Sequence, residues 1–199
     1  MNFDLILEIF GFCVGLLYLW WEYHADTKLW FASVVMPAIS MWIYFSKGLY
    51  ADFAINIYYL VIAVYGFWVW THGAGAKSGE SGKAQPITRT PARVWVAVAA
   101  AIAVLWSAIW YVLAHVTDST VPVADAFTTA LSIVGLWMLA RKYAEQWLVW
   151  LVVDIVCCGL YFYKGIYFYS VLYGIYTVIA WLGYRKWLRL MGDYVKKNS

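Results

Sequence analysis

Charge is what this sequence has least of. Lys, Arg, Asp and Glu make up 13% of its 199 residues while 65% are hydrophobic, against about 25% charged and 45 to 50% apolar in an ordinary soluble domain. A chain of this composition has too few polar side chains to cover its own surface in water, which excludes a soluble globular protein. Cysteine is nearly absent as well. Cys13, Cys157 and Cys158 all stand inside apolar stretches, and adjacent cysteines point to different helix faces, so neither a disulfide framework nor a zinc site is expected. The three histidines, His24, His72 and His115, fall where apolar runs end. No nucleophile–base pair or metal-ligand spacing accompanies them, so an enzyme is not expected, nor a metal or cofactor. A net charge of +3 is too small and too unevenly placed to imply nucleic acid.

What the sequence does have is long apolar runs. Seven spans can be drawn, at about 3–22, 28–45, 49–71, 93–115, 123–140, 146–163 and 166–188, each long enough for the roughly 30 Å hydrocarbon core of a bilayer. The first carries Asp4 and Glu8 and lacks a basic leader, so it reads as a retained span. Seven spans put the two termini on opposite sides. One side then receives Lys28, Lys77, Lys83, Arg89, Arg93, Arg141, Lys142, Arg185, Lys186, Arg189, Lys196 and Lys197, and the other only Lys47 and Lys164. Basic residues accumulate on the cytoplasmic side, so the N-terminus is expected outside and the C-terminus in the cytoplasm. Residues 72–92, rich in Gly, Ser, Pro and Lys, read as a cytoplasmic linker. Their GESGKA imitates a phosphate loop but lacks its Ser or Thr, its first glycine and a preceding strand. Asp118 and Asp125, beside the turn before the fifth span, read as solvated.

The linker separates two similar halves. At a constant offset of 117 positions Trp30 meets Trp147, Tyr44 meets Tyr161, Lys47-Gly48 meets Lys164-Gly165, and the pattern YxVIAxxGxxxW recurs at Tyr59 to Trp70 and at Tyr176 to Trp187. Equivalent spans are separated by four, so both copies run the same way through the membrane. The expected architecture is all-α and integral to the membrane, with two parallel three-helix bundles and one linking helix. In residue terms this is 1–71, the linker 72–92, a linking helix 93–115, a second bundle 116–190 and a cytoplasmic tail 191–199. Parallel repeats of this kind typify transporters that hold substrate between the halves, so the site is expected where the copies differ.

The most telling difference is Asp154, whose repeat partner is Pro37. On a helix Trp147, Trp150, Asp154, Cys158 and Tyr161 form one stripe, with a carboxylate at its centre and apolar residues around it. An acid at that depth costs roughly 2.5 to 3.5 kcal/mol on insertion scales and is expected to have a partner or a task. It could be paired internally or stay protonated. No Lys, Arg or His stands at comparable depth in any other span, so a cationic substrate is the favoured partner, with Trp147 and Trp150 offering indole faces to it. Interfacial anchoring is the competing role for those tryptophans. Pro37 removes a backbone hydrogen bond at the depth of the acid and is a candidate gate or cavity wall, or simply a bend. No second buried acid is evident, so coupling to an ion is not expected.

The segments GLWMLARKYAEQWLVWLVVDIVCCGLYFYKGIYFYSVLYGIY and DAFTTALS resemble the PnuC family of bacterial vitamin transporters, over essentially the whole chain. The resemblance implies a fold similar to the SWEET proteins, three helices, a linking helix and three more, assembled as a homotrimer in the bacterial inner membrane. It also implies facilitated diffusion of nicotinamide riboside with trapping by a cytosolic vitamin kinase. The family's WxxWxxx followed by Asn or Asp matches at Trp147, Trp150 and Asp154. Its QxxxNxxGxxxW matches in spacing at Tyr59, Ala63, Gly66 and Trp70, without the Gln and Asn. In that respect the chain looks more like the thiamine-carrying branch, PnuT. The expectation is therefore a vitamin transporter with thiamine narrowly ahead of nicotinamide riboside. Trp147, Trp150 and Asp154 would hold the cationic ring, Asn56, Tyr59 and Tyr176 would line the cavity, and Gly66 and Gly183 would allow close helix contact. A membrane-embedded vitamin sensor or scaffold is the alternative of a different class.

Overall fold

The computed structural model describes residues 14–46, 50–73, 85–117 and 120–198. Asp4, Glu8, Cys13, Lys47, Gly48, Lys77, the GESGKA stretch and Asp118 lie outside them. The described chain is helical over 14–23 (α1), Leu29–Ser46 (α2), Tyr50–His72 (α3), Ala92–Val116 (α4), Pro122–Ala140 (α5), Gln146–Tyr163 (α6) and Tyr167–Asn198 (α7). The sixth span coincides with α6. The seventh helix overruns its apolar run by ten residues, so the stretch expected as a tail is helical to Asn198. Helices α4, α5 and α6 are each long and apolar enough to cross a membrane.

Turn chemistry explains where the helices stop. Lys142 closes α5 in the left-handed region at φ 60°, with Lys142 N–H donating to Leu139 and Tyr143 N–H to Met138. Ala25 closes α1 in the same way at φ 53°, with its own N–H on Glu22 and that of Asp26 on Trp21. These are two copies of one motif, a left-handed residue that satisfies the last carbonyls of a helix. After α6 the same pairing needs Gly165, at φ 73°, with Ile166 N–H reaching Tyr161.

The chain divides into two compact units, Met1–Pro86 and Ile87–Ser199. In the first, α2 packs on α3. In the second, α4 packs on α5, α5 on α6 and α6 on α7, around Val98, Leu131, Val134, Met138, Tyr143, Val149 and Val153. Helix α4 fully buries only Val98 and half-buries Val94, Ile102 and Leu105 against the core; most of its other apolar side chains are exposed, as they are toward lipid but not toward water. Trp106 ties it to α5 by donating its indole N–H to the Val123 carbonyl at 3.0 Å. The end of the linker is stitched to the α5–α6 turn: Thr88 bridges to Tyr143, and both the backbone and the hydroxyl of Thr90 donate to the buried Glu145 carboxylate, which Arg89 also faces at 3.6 Å. Glu145, with the equally buried Glu22, corrects the expectation of a single buried acid. Both stand at helix ends rather than at mid-span, which is why hydropathy did not separate them from solvated residues.

One packing device appears in both units. Trp30, 1% exposed, lies over Gly66 and meets Trp70 edge to face at 5.6 Å and 88°. Trp147, 2% exposed, lies over Gly183 and meets Trp187 at 6.0 Å and 85°. All three residues correspond at the repeat offset. Helices in lipid associate through close packing at small residues, and at neither glycine is there room for a methyl group: a Cβ on Gly183 would stand 2.7 Å from the Trp147 ring.

Gly183→Ala and Gly66→Ala are therefore expected to cost about 1 to 3 kcal/mol through overpacking. Gly159→Ala, where a Cβ meets nothing within 4 Å, should be neutral or stabilising. Thermal melts in detergent check this, and a Gly183→Ala melt matching that of Gly159→Ala would refute the lock.

Candidate functional site

The lock sets the register of α6 against α7. Starting from Trp147 on Gly183, seven residues along α6 lead to Asp154, and seven back along the antiparallel α7 lead to Tyr176. At 1.5 Å per residue both stand about 10 Å from the lock, level with each other and near the middle of α6. Ten residues bring Cys157 level with Tyr173, and fourteen bring Tyr161 level with Tyr169. The contacts agree. The Asp154 carboxylate is within electrostatic reach of Tyr176, Tyr173 and Cys157, and Tyr161 stacks on Tyr173 at 5.3 Å and 13° and on Tyr169 at 5.3 Å and 26°.

Asp154 is 7% exposed. Among the described residues it has no ion-pair or hydrogen-bond partner, so the internal cation weighed from the sequence is not found there. One turn below it, Trp150 lies against Gly135 of α5, with its indole N–H buried and unpartnered; the Trp147 N–H is unpartnered too. A buried polar group without a partner costs about 1 to 3 kcal/mol. The stripe thus holds an acceptor and two donors whose hydrogen-bonding capacity the protein itself leaves unused, with aromatic rings on both sides. A flat cation bearing polar groups fits such a set: charge against Asp154, ring against Trp150 or tyrosine.

Of the residues expected at the site, the second unit brings together Trp147, Trp150, Asp154 and Tyr176. Asn56 and Tyr59 belong to the first unit, where they share a face of α3 with Ala63, Gly66 and Trp70; Asn56 and Ala63 are buried and Tyr59 is half-buried. Pro37 is buried within α2, seven residues beyond Trp30, and so stands level with Tyr59, seven before Gly66. Tyr173 was missed from the sequence, although it is the repeat partner of Asn56 and one offset would have found it. Cys157, rather than Cys158, lies beside the acid. Cys158 instead faces Ser170, whose hydroxyl donates to the Cys158 carbonyl at 2.9 Å. No group of three metal-ligating side chains occurs among the described residues.

A family model described as nicotinamide mononucleotide transporter matches residues 5–189. The chain belongs to this family, that of PnuC. The nicotinamide riboside transporter PnuC of Escherichia coli (strain K12) is 25% identical over 203 residues, covering 92% of this chain and 84% of its own. The riboflavin/roseoflavin transporter RibM of Streptomyces davaonensis is 30% identical over 132 residues, 64% of this chain and 59% of its own. The crystal structure of the vitamin B3 transporter PnuC shares the fold, with a TM-score of 0.63 at 22% identity over 90% of this chain and 79% of that one. As a member of the PnuC family the chain is a multi-pass membrane protein, and the relatives it matches are named as transporters.

Replacing Asp154 by Asn keeps the shape and removes the charge. Affinity for a cationic vitamin should fall at least tenfold, about 1.4 kcal/mol, with the melting temperature held or raised because a buried unpaired charge has gone. Calorimetric titration of the purified variant reads this; unaltered affinity would remove Asp154 from the site.

Proposed function

We propose that this chain carries a flat cationic vitamin across the bacterial inner membrane by facilitated diffusion, with nicotinamide riboside as first substrate and thiamine as second. The observation that carries the reading is Asp154, buried beside Trp150 with no ion-pair or hydrogen-bond partner among the described residues. Family membership alone does not fix the cargo, because one relative is named for riboflavin, whose ring is uncharged. A carboxylate at mid-span argues for a cation, and nicotinamide riboside is the cation for which the E. coli relative is named.

This ordering reverses the preference for thiamine drawn from the sequence, since the comparisons favour nicotinamide riboside. Thiamine stays as a second reading on one observation. Tyr59 and the fully buried Ala63 lack the amides that the family motif offers to a ribose and carboxamide, and an unmet polar group on a substrate lowers its preference by tenfold or more.

The rest of the reading follows from charge and repeat. The basic-residue asymmetry supports an outside N-terminus and a cytoplasmic C-terminus. The duplicated lock supports two parallel bundles of three helices with α4 linking them, and the homotrimer is carried over from the family resemblance. Trp147, Trp150, Asp154 and Tyr176 would meet the cation, Asn56 and Tyr59 would line the cavity from α3, and Pro37 would loosen α2. With no ion-binding constellation assigned, the membrane potential and phosphorylation by a cytosolic kinase would drive net uptake.

Proteoliposomes without an ion gradient test this. Labelled nicotinamide riboside should equilibrate across the bilayer and Asp154→Asn should abolish its flux, whereas binding without flux would support a sensor instead. Tyr59→Gln should raise the flux ratio of nicotinamide riboside to thiamine by about three- to tenfold; an unchanged ratio would mean that α3 does not read the substrate.

A further inference from the structure

Above Asp154 a row of tyrosines joins α6 to α7, and a second carboxylate stands near its end. Tyr173, level with Cys157, stacks on Tyr161, and Tyr161 stacks on Tyr169. Beyond them Asp125, in the first turn of α5, pairs with Lys164 at 3.6 Å, the two side chains 36% and 30% exposed. Asp125, expected to be solvated, has its partner in the α6–α7 turn that Gly165 closes. Asp125 lies within electrostatic reach of both Cys157 and Tyr161. One file of groups, Asp154, Cys157, Tyr173 and Tyr161, with Asp125 of α5 beside its outer end, therefore runs about 10 Å along α6. By the charge asymmetry its Asp125 end faces outside.

We infer that Asp125, Tyr161 and Tyr169 form an outer binding station for the cationic vitamin, occupied between transport events by the Lys164 ammonium. The inference rests on the cation reading of Asp154 and extends it outward. A lone carboxylate at the mouth would attract cations of every kind, and a lone lysine would repel the substrate. Paired, they are neutral, and a part-exposed ion pair contributes little net stability and exchanges readily. A flat cation has two advantages over Lys164. It can lay its ring along the stacked tyrosines, a cation–π contact that the ammonium forgoes while bound to Asp125, and it can advance along the same rings to Asp154 without passing through unrelieved hydrocarbon. Small hydrated cations lack the ring and gain nothing from the file, so the station selects before the central site does.

Initial rates of labelled nicotinamide riboside entry into phosphatidylethanolamine–phosphatidylglycerol liposomes separate KM from maximal rate. Asp125→Asn should raise KM three- to tenfold with the maximal rate within twofold, and equilibrium affinity of the detergent-purified variant should stay within twofold of wild type. Lys164→Met should lower KM, most at low ionic strength, where the Asp125 charge is least screened. Tyr161→Leu, which leaves both charges in place, should raise KM by a similar factor. Unchanged KM in Asp125→Asn and Tyr161→Leu would overturn the station. Loss of equilibrium affinity in Asp125→Asn as large as that in Asp154→Asn would overturn it too, by placing Asp125 in the central site. Failure of the underlying reading looks different, because then Asp154→Asn itself leaves affinity intact.

Discussion

An indole seated on a glycine governs the geometry of both units. Trp147 over Gly183, and Trp30 over Gly66, bring two helix backbones as close as a ring edge allows, and the perpendicular Trp187 and Trp70 stop the indole from rotating away. In lipid this matters more than it would in water, because no hydrophobic drive selects one helix register over another. Shape does. Once the lock is seated, every pair of residues equally distant from it on the two antiparallel helices is brought level, and the polar groups of α6 and α7 meet without long-range pairing to hold them. Asp154 faces Tyr176 because Trp147 cannot slide.

Duplication then left one scaffold and two chemistries. Below the polar level the copies agree: Ala63, Gly66 and Trp70 against Ala180, Gly183 and Trp187, and even the left-handed turns at Ala25 and Lys142. Around it they part at three positions, although Tyr59 and Tyr176, and farther along Tyr44 and Tyr161, still agree. Pro37 stands where the other copy has Asp154, Ser33 where it has Trp150, and Asn56 where it has Tyr173. Ser33 spends its hydroxyl on the Leu29 carbonyl one turn back, a local bond that asks nothing of a ligand, whereas Trp150 and Asp154 are left with capacity unspent. The second copy specialised in charge and aromatic surface, and the first in packing with a few polar side chains.

Much of this was legible in sequence because the membrane simplifies the code. Apolar runs must be helical where no water can satisfy a backbone, so the bounds of α6 were readable to the residue and the repeat gave the equivalences. The motif glycines were readable as close-contact sites, though the tryptophan that fills each one was not. Legibility failed where polar groups meet across turns. Asp125 reads as solvated because its partner Lys164 is remote in sequence and is brought round by the turn at Gly165. Glu145, at the start of α6, likewise finds its partner Thr90 far away in sequence. Helix α7 outran its hydropathy because Arg185, Lys186 and Arg189 end a span without ending a helix.

The central claim is that the substrate's positive charge completes an electrostatic arrangement which the protein leaves open at Asp154. Comparing nicotinamide riboside with its reduced dihydro form tests this most directly, since the two share ribose, carboxamide and outline and differ in the charge of the ring. Calorimetry on the purified protein should show the cationic form binding at least tenfold more tightly than the neutral one, with the difference lost in the Asp154→Asn variant. Equal affinity of the wild-type protein for the two forms would contradict the account.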